Sequence, residues 1–209
     1  MMKIAVFSLR ALSVSTEAIR ILPFGEDEQS RLLSLQNPDR ATQSLGALLA
    51  LQQLCGESVY PIRRTPEGKP YFHAPHAPAF SLAHIKDLSV AALADRDEGD
   101  IGIDAEELRS YDRKEKIAAR FFTESEQAML TATNTDEVFF KLWTAKEATV
   151  KMNGFTLSAH LANEMANASH IRHFRITEND RTAILCLAAE KPITHIEWLV
   201  PPTITIQEI

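Results

Sequence analysis

The same order of secondary-structure elements occurs twice along this chain of 209 residues. In the first half, hydrophobic periodicity predicts a strand, two helices and a hairpin, at residues 3–9, 26–35, 39–54 and 80–94. In the second half it predicts a strand, three helical runs and two strands, at residues 101–106, 113–122, after 124, 136–152, 171–176 and 182–188. The repetition predicts an α+β fold of two tandem pseudo-symmetric lobes, each a small antiparallel sheet packed with helices.

The boundary between the lobes is predicted at a short charged stretch, residues 95–100, which contains Gly99. This gives an N-terminal lobe of residues 1–98 and a C-terminal lobe of residues 99–209. Within the second lobe, Asn134 with Glu137 three residues later predicts a helix start, and the Asn-Gly pair at 153–154 predicts its end. Two lobes packed together leave a cleft between them, where a ligand can bind.

Composition excludes several classes of protein. A net charge of −6 and a pI near 5.7 argue against a nucleic-acid partner, which requires a basic face. The apolar run at residues 1–9 is too short for a signal peptide or a membrane span. Cys55 and Cys186 are far apart and suit thiols in a reducing compartment. We therefore expect a cytoplasmic protein without membrane or nucleic-acid contacts, and a monomer, since two lobes of one chain form the cleft.

An acidic strand is the first candidate site. Between residues 100 and 106, Ile and Ala alternate with Gly102, Asp104 and Glu106, so one face is apolar and the other acidic. Two carboxylates at i and i+2 lie about 7 Å apart at Cα, within reach of one hard cation. The pattern alone is also typical of an edge strand with a solvated face.

A helix supplies the second candidate set. Trp143, Glu147 and Lys151 are each one turn apart and line one stripe of this helix. Alone, the stripe is equally typical of an aromatic contact beside a solvated Glu-Lys pair. If Glu147 joins Asp104 and Glu106, carboxylates about 4 Å apart repel by about 4 kcal/mol at an effective dielectric near 20, so the cluster requires a cation. All-oxygen ligation completed by water and phosphate favours Mg²⁺.

Several motifs in fixed order resemble those of a known family. Residues 102–106 match a G-[IV]-D-x-E strand, residues 143–151 match a W-x-x-K-E-x-x-x-K helix, and residues 120–126 resemble R-F-F-[ST]-x-x-E. Upstream, residues 68–70 resemble G-K-P and residues 80–84 resemble F-N-[LI]-S-H. The chain thus resembles the 4'-phosphopantetheinyl transferases of the two-lobed, surfactin-synthetase-activating type, which serve polyketide and nonribosomal peptide synthetases.

This resemblance implies transfer of the 4'-phosphopantetheine arm of coenzyme A to a serine of an apo acyl or peptidyl carrier protein. Adenosine 3',5'-bisphosphate is the implied second product. Asp104, Glu106 and Glu147 would hold Mg²⁺ against the diphosphate of coenzyme A, and Lys151 would contact the transferred phosphate. Glu147, or a water that it positions, would take the proton of the serine hydroxyl, with Glu126 as a helper.

The N-terminal lobe is implied to contact coenzyme A and the carrier. There, Lys69 and His84 would hold the 3'-phosphate of the adenosine part. Without the resemblance, a solvated loop charge and a strand histidine with a satisfied hydrogen bond remain open for these two residues.

The chain departs from the family pattern near this phosphate. Ser81 and Ala83 replace an asparagine and a serine, and Thr42 stands where an arginine is usual. Arg40, Arg31 or the arginines at 63–64 are candidates to replace it, because the guanidinium fork suits phosphate.

Two other interpretations of the function stay open at this point. The departures keep open a coenzyme A-binding homologue without transferase activity. The carboxylates alone keep open another Mg²⁺-dependent phosphoryl or phosphodiester enzyme, which leaves the motif at residues 143–151 unexplained.

For an acidic carrier protein, the predicted docking patch is the run of basic residues between 109 and 120, although a solvated amphipathic helix explains these charges as well.

Overall fold

A computed structural model describes residues 1–10, 12–154 and 170–209. Among these residues the helices are α1 (Thr16–Arg20), α2 (Glu26–Leu33), α3 (Pro38–Cys55), α4 (Lys114–Phe121), α5 (Glu124–Thr133) and α6 (Asp136–Asn153). The strands are β1 (Met2–Ser8), β2 (Ile62–Arg64), β3 (Pro70–Phe72), β4 (Ala79–Ile85), β5 (Leu88–Ala94), β6 (Ile101–Glu107), β7 (His170–Glu178), β8 (Arg181–Ala189), β9 (Ile196–Leu199) and β10 (Ile204–Glu208).

Two four-stranded sheets form the centre of the molecule, which confirms the predicted α+β class. The first has the order β4-β5-β1-β9 and the second the order β10-β7-β8-β6. Each sheet carries one 18-residue helix, α3 or α6. Pairing is antiparallel except between β1 and β9, which run parallel. The second half of the chain contributes β9 to the first sheet, while among the described residues the second sheet takes no strand from the first half. The division at residue 98 stays a prediction.

The predicted long elements are confirmed within two residues at most ends. The short elements α1, β2, β3, β9 and β10 were not predicted, because three to five residues are too few to show a clear period. The predicted start of α6 at Asn134 is wrong. Asn134 ends α5 in the left-handed conformation, and the hydroxyl of Thr135 caps α6 by accepting from the Val138 amide. The predicted end at Gly154 is confirmed, with φ of 71°.

The two sheets pack face to face through an apolar core to which β1, β5, β6 and β8 contribute. The edge strands β4 and β6 lie side by side, and the Ile103 amide donates a buried hydrogen bond of 3.0 Å to Ser81 Oγ. This bond joins the two sheets directly. No helix among the described residues is long and apolar enough to cross a membrane.

Helix α6 lies on the acidic face of β6 at very close range. A Cβ added to Gly102 would lie 1.9 Å from the Ala148 carbonyl oxygen and 2.5 Å from the Met152 amide nitrogen. The backbone of α6 thus takes the space that the missing side chain of Gly102 leaves beside the carboxylates. The close packing brings the motif helix onto the motif strand.

Candidate functional site

The acidic strand and the motif helix meet in one pocket. Asp104 on β6 is only 5% exposed and Glu106 is half-buried, so the solvated-face alternative is wrong. Glu147 and Lys151 on α6 line the same cavity of about 520 Å³. A helix covering the strand thus gathers these four residues from positions about 40 apart in sequence.

The N-terminal lobe completes this pocket. Lys69, from the loop before β3, and His84, near the end of β4, are among its lining residues. The pocket therefore lies between the two sheets and joins residues of both predicted lobes. A second, more open cavity of about 1080 Å³ adjoins it and shares Lys69, Pro70 and Phe80.

Lys151 bridges the two sheets at the pocket. Its ammonium donates to Asp104 Oδ1 at 2.8 Å and to the Leu82 carbonyl at 3.2 Å. The other carboxylate oxygen, Asp104 Oδ2, is buried and accepts no hydrogen bond from the described residues. A buried carboxylate oxygen without a partner is costly, which points to a missing positive or donating group.

The three carboxyl groups are held in a shared electrostatic environment. Burial raises the pKa of Asp104, against the opposing effect of Lys151. Burial and then the charge of Asp104 raise the pKa of Glu106, although Arg109 and a hydrogen bond from Trp143 oppose this. Burial, Asp104 and Glu106 raise the pKa of Glu147 to about 8. The three carboxyl groups thus repel one another across the pocket, and a cation bound between them would relieve this repulsion.

The fit of a divalent cation rests on these donors. All three side chains offer hard oxygen ligands, and Asp104 Oδ2 is free to accept one more partner. Within the described part of the chain, however, no three His, Cys, Asp or Glu side chains form a ready ligand set. The donor chemistry fits Mg²⁺, and a shared ion would require the three side chains to move closer together.

Lys69 reaches across to the end of α6. Its ammonium donates to the Met152 carbonyl at 2.5 Å and lies 3.3 Å from a carboxylate oxygen of Asp100. A cation at the carbonyl end of a helix is favourable, so Lys69 also secures the packing between the lobes.

His84 lies at the rim of the pocket. The surrounding protein lowers its pKa by desolvation, and the charges of Lys151 and Arg40 lower it further. Arg40 lies in the first turn of α3 and is exposed; it is not among the described pocket-lining residues. The structure thus brings Arg40 near His84 rather than into the pocket.

Arg31 and Arg64 line the pocket together and converge on one buried carboxylate. Glu28 accepts from Arg31 at 2.7 Å and from Arg64 at 3.1 Å, and these arginines hold its pKa below its usual range despite burial. Arg31 and Arg64 bring two positive charges to this wall against Glu28 and Glu67, and Lys69 adds a third cation for a phosphate ligand.

Glu126 lies apart from the described pocket lining. It is the N3 residue of a capping box on α5, where it accepts from the Thr123 amide at 2.8 Å. It also pairs with the buried Lys146 at 2.9 Å. Its catalytic assistance stays a prediction, while these contacts give Glu126 and Lys146 a structural role that ties α5 to α6.

Two contacts of the site were not predicted. Ser81 joins β4 to β6, and Trp143 opposes the rise in the pKa of Glu106. Both residues stand in the quoted motifs, but their partners lie on another strand or helix, and spacing within a motif carries no signal for such partners.

Glu147 makes the stability of the cation-free protein depend on pH. Its pKa is about 8 in the folded state against an ordinary 4.5, so folding keeps a proton that the unfolded chain releases. This contribution is complete below about pH 4.5 and is lost as pH rises through about 8. The open pocket screens part of the effect. We expect the free energy of unfolding, measured by thermal unfolding in EDTA, to fall between about pH 5 and 8. The fall should be at least about 1 kcal/mol larger for the unsubstituted protein than for Glu147→Gln.

Comparison with Glu147→Gln also removes the contribution of the histidines to the pH dependence of stability. The pKa values of His84 and His173 are lowered, so their contribution has the opposite sign and rises with pH. Both proteins share these histidines, and the difference between them isolates Glu147. Parallel pH curves for the two proteins contradict the prediction.

Comparison with known proteins places the chain in a family. Residues 100–198 match the model of the 4'-phosphopantetheinyl transferase superfamily. The chain is 35% identical over 147 residues to 4'-phosphopantetheinyl transferase AcpT of Escherichia coli (strain K12), with 68% of this chain and 70% of that protein aligned. This extends the likeness beyond the region that the family model matches.

Two further relatives align over shorter parts. With AcpT of Salmonella typhimurium the chain is 36% identical over 91 residues, or 42% of this chain and 46% of that protein. With 4'-phosphopantetheinyl transferase psf-1 of Bacillus pumilus it is 36% identical over 105 residues, or 49% and 43%. The chain thus matches about half the length of these two relatives. From the superfamily match and the extended likeness to the Escherichia coli protein, the chain belongs to the 4'-phosphopantetheinyl transferase family.

Proposed function

We propose that this protein transfers the 4'-phosphopantetheine arm of coenzyme A to a serine of an apo carrier protein. The observation that carries the proposal is the convergence of Asp104, Glu106, Glu147 and Lys151 on one pocket beside Lys69. Acidic side chains for a cation and lysines for phosphates are the groups that phosphoryl transfer requires. The names of the aligned relatives support the same activity.

Asp104, Glu106 and Glu147 are the proposed ligands of Mg²⁺. When bound, the cation neutralises charge that develops on the diphosphate oxygens during transfer. Lys151, at the same pocket, would then contact the phosphate that is transferred. Trp143, which opposes the rise in the pKa of Glu106, would help to position this ligand.

The proposed step is an in-line displacement at the phosphorus next to the pantetheine arm. A bond forms between the serine oxygen and this phosphorus as the bond to the bridging oxygen breaks, releasing adenosine 3',5'-bisphosphate. Glu147, or a water that it positions, takes the serine proton. Its raised pKa makes it a better proton acceptor than an ordinary carboxylate, although a bound cation lowers that value.

The 3'-phosphate of coenzyme A is proposed to bind at the wall formed by the first lobe. Lys69 and His84 line this part of the pocket, and Arg31 and Arg64 add two guanidinium groups where the family arginine is replaced by Thr42. Thr42 itself is half-buried, and its hydroxyl donates to the Pro38 carbonyl within α3. Arg40 contributes at the rim, through its position near His84.

The partner and setting remain proposals. The basic residues between 109 and 120 lie just before α4 and within it. They are the proposed docking surface for an acidic carrier. Service to polyketide and nonribosomal peptide carriers, a monomeric state and a cytoplasmic location are proposed from the sequence.

The test is a mass measurement on the carrier. The protein, coenzyme A, Mg²⁺ and an apo acyl or peptidyl carrier protein should give a carrier heavier by one phosphopantetheine arm. A carrier with alanine in place of the acceptor serine, and a reaction with EDTA, are the controls that should show no gain. Coenzyme A binding by calorimetry without any mass gain across several carriers contradicts transfer and favours the binding-only alternative.

A further inference from the structure

Lys151 already occupies the place where a cation is needed. Its ammonium lies between Asp104 Oδ1 on β6 and the Leu82 carbonyl on β4, at 2.8 and 3.2 Å. These are oxygens from the two different sheets. The Lys151 ammonium therefore joins the lobes at the pocket, as Lys69 does, and partly neutralises Asp104.

Lys151 balances only part of the negative charge on the acidic side of the pocket. Asp104, Glu106 and Glu147 bring three carboxyl groups, and Lys151 is within hydrogen-bonding distance of only one oxygen of Asp104. Asp104 Oδ2 is buried without a partner among the described residues. A divalent ion that binds Asp104 would lie within a few ångströms of the Lys151 ammonium, where like charges repel strongly.

We propose that Lys151 is the resident counter-cation of this pocket and leaves Asp104 when a divalent cation binds. The inference rests on the proposed function and adds a coupling to it. The ammonium released from Asp104 is the group that then contacts the diphosphate of coenzyme A. Divalent-ion binding and coenzyme A binding thus favour each other through Lys151, in addition to any direct contact between ion and phosphate.

The main test is Mn²⁺ affinity, measured by titration calorimetry on the full chain without coenzyme A. Lys151→Met should bind Mn²⁺ at least about tenfold more tightly than the unsubstituted protein, because the competing charge is gone. Coenzyme A should also raise Mn²⁺ affinity by a smaller factor in Lys151→Met. Lys86→Met, which removes an equal charge from an exposed turn, should change neither quantity. Equal or weaker Mn²⁺ binding by Lys151→Met overturns the proposal.

A second measurement uses the unsubstituted chain and does not depend on the variant folding. Reductive methylation, followed by peptide mass spectrometry, reports how accessible each lysine is. Adding Mg²⁺ alone should raise the labelling of Lys151 several-fold and leave Lys86 unchanged. Unchanged labelling of Lys151 at Mg²⁺ concentrations that calorimetry shows to be saturating overturns the proposal.

The outcomes also separate this inference from the proposed function. If the protein transfers the arm and Lys151→Met shows no gain in Mn²⁺ affinity, the counter-cation role fails while the function stands. If the unsubstituted protein and Lys151→Met both bind no Mn²⁺ and the protein shows no transfer, the cation site and the inference fail together.

Discussion

Glu147→Gln is expected to lower the rate of phosphopantetheine transfer by at least about 100-fold while leaving the fold intact. Loss of one proposed ligand and proton acceptor removes several kcal/mol of transition-state stabilisation. The fold should survive because glutamine resembles the protonated carboxyl group that the raised pKa of about 8 already favours near neutral pH. Transfer by carrier mass and thermal unfolding in EDTA, both near pH 7, measure the two effects.

Glu137→Gln is the matched control on the same helix. Glu137 lies in the first turn of α6 and pairs with Arg175 at 2.8 Å, and it is not among the described pocket-lining residues. The Glu137→Gln variant loses the same charge as Glu147→Gln. It should stay folded, because a partly exposed ion pair contributes little to stability, and should therefore keep near-normal transfer. If Glu147→Gln and Glu137→Gln both keep near-normal rates, the assignment of Glu147 is wrong.

Gly102→Ala is expected to destabilise the protein by about 3 kcal/mol or more, or to prevent folding. Its new methyl group would overlap the backbone of α6, at the Ala148 carbonyl and the Met152 amide, and backbone atoms cannot rotate away. Either α6 retreats from β6 or the strand bends. The expected decrease in Tm is at least about 6 °C. Any folded fraction should also transfer slowly, since Glu147 and Lys151 move with the helix.

Gly46→Ala provides the comparison in the other lobe. There the new methyl group meets the side chains of Leu9 and Ser89, which can shift, and alanine is favoured over glycine within a helix by about 1 kcal/mol. Its loss of stability should therefore be clearly smaller. Equal denaturation midpoints for Gly102→Ala and the unsubstituted chain would show that the helix does not need the glycine.

Much of this architecture was predictable because its long elements have clear periods. The alternation at residues 101–106 and the stripe from Trp143 to Lys151 each predicted one element, and each is present. The end of α6 followed from Gly154, since glycine tolerates the left-handed conformation there. Its start did not follow, because Asn134 and Thr135 are both plausible caps and the choice depends on where α5 ends.

The pairing of β9 with the first sheet could not be predicted from the sequence. A four-residue strand has no distinctive period, and its parallel pairing with β1 joins residues about 190 apart. Contacts between site residues that are distant in sequence could not be predicted either. Lys151 was expected at a phosphate, whereas its contact with Asp104 depends on how closely α6 packs on Gly102.

The most direct measurement is a crystal structure of the full chain with coenzyme A and Mn²⁺, in which anomalous scattering locates the ion. We predict one ion about 2 Å from carboxylate oxygens of both β6 and α6, touching the diphosphate, with Lys151 withdrawn from Asp104. Coenzyme A bound in this pocket with its diphosphate distant from Asp104, Glu106 and Glu147, and no ion between them, would contradict the proposed cation site.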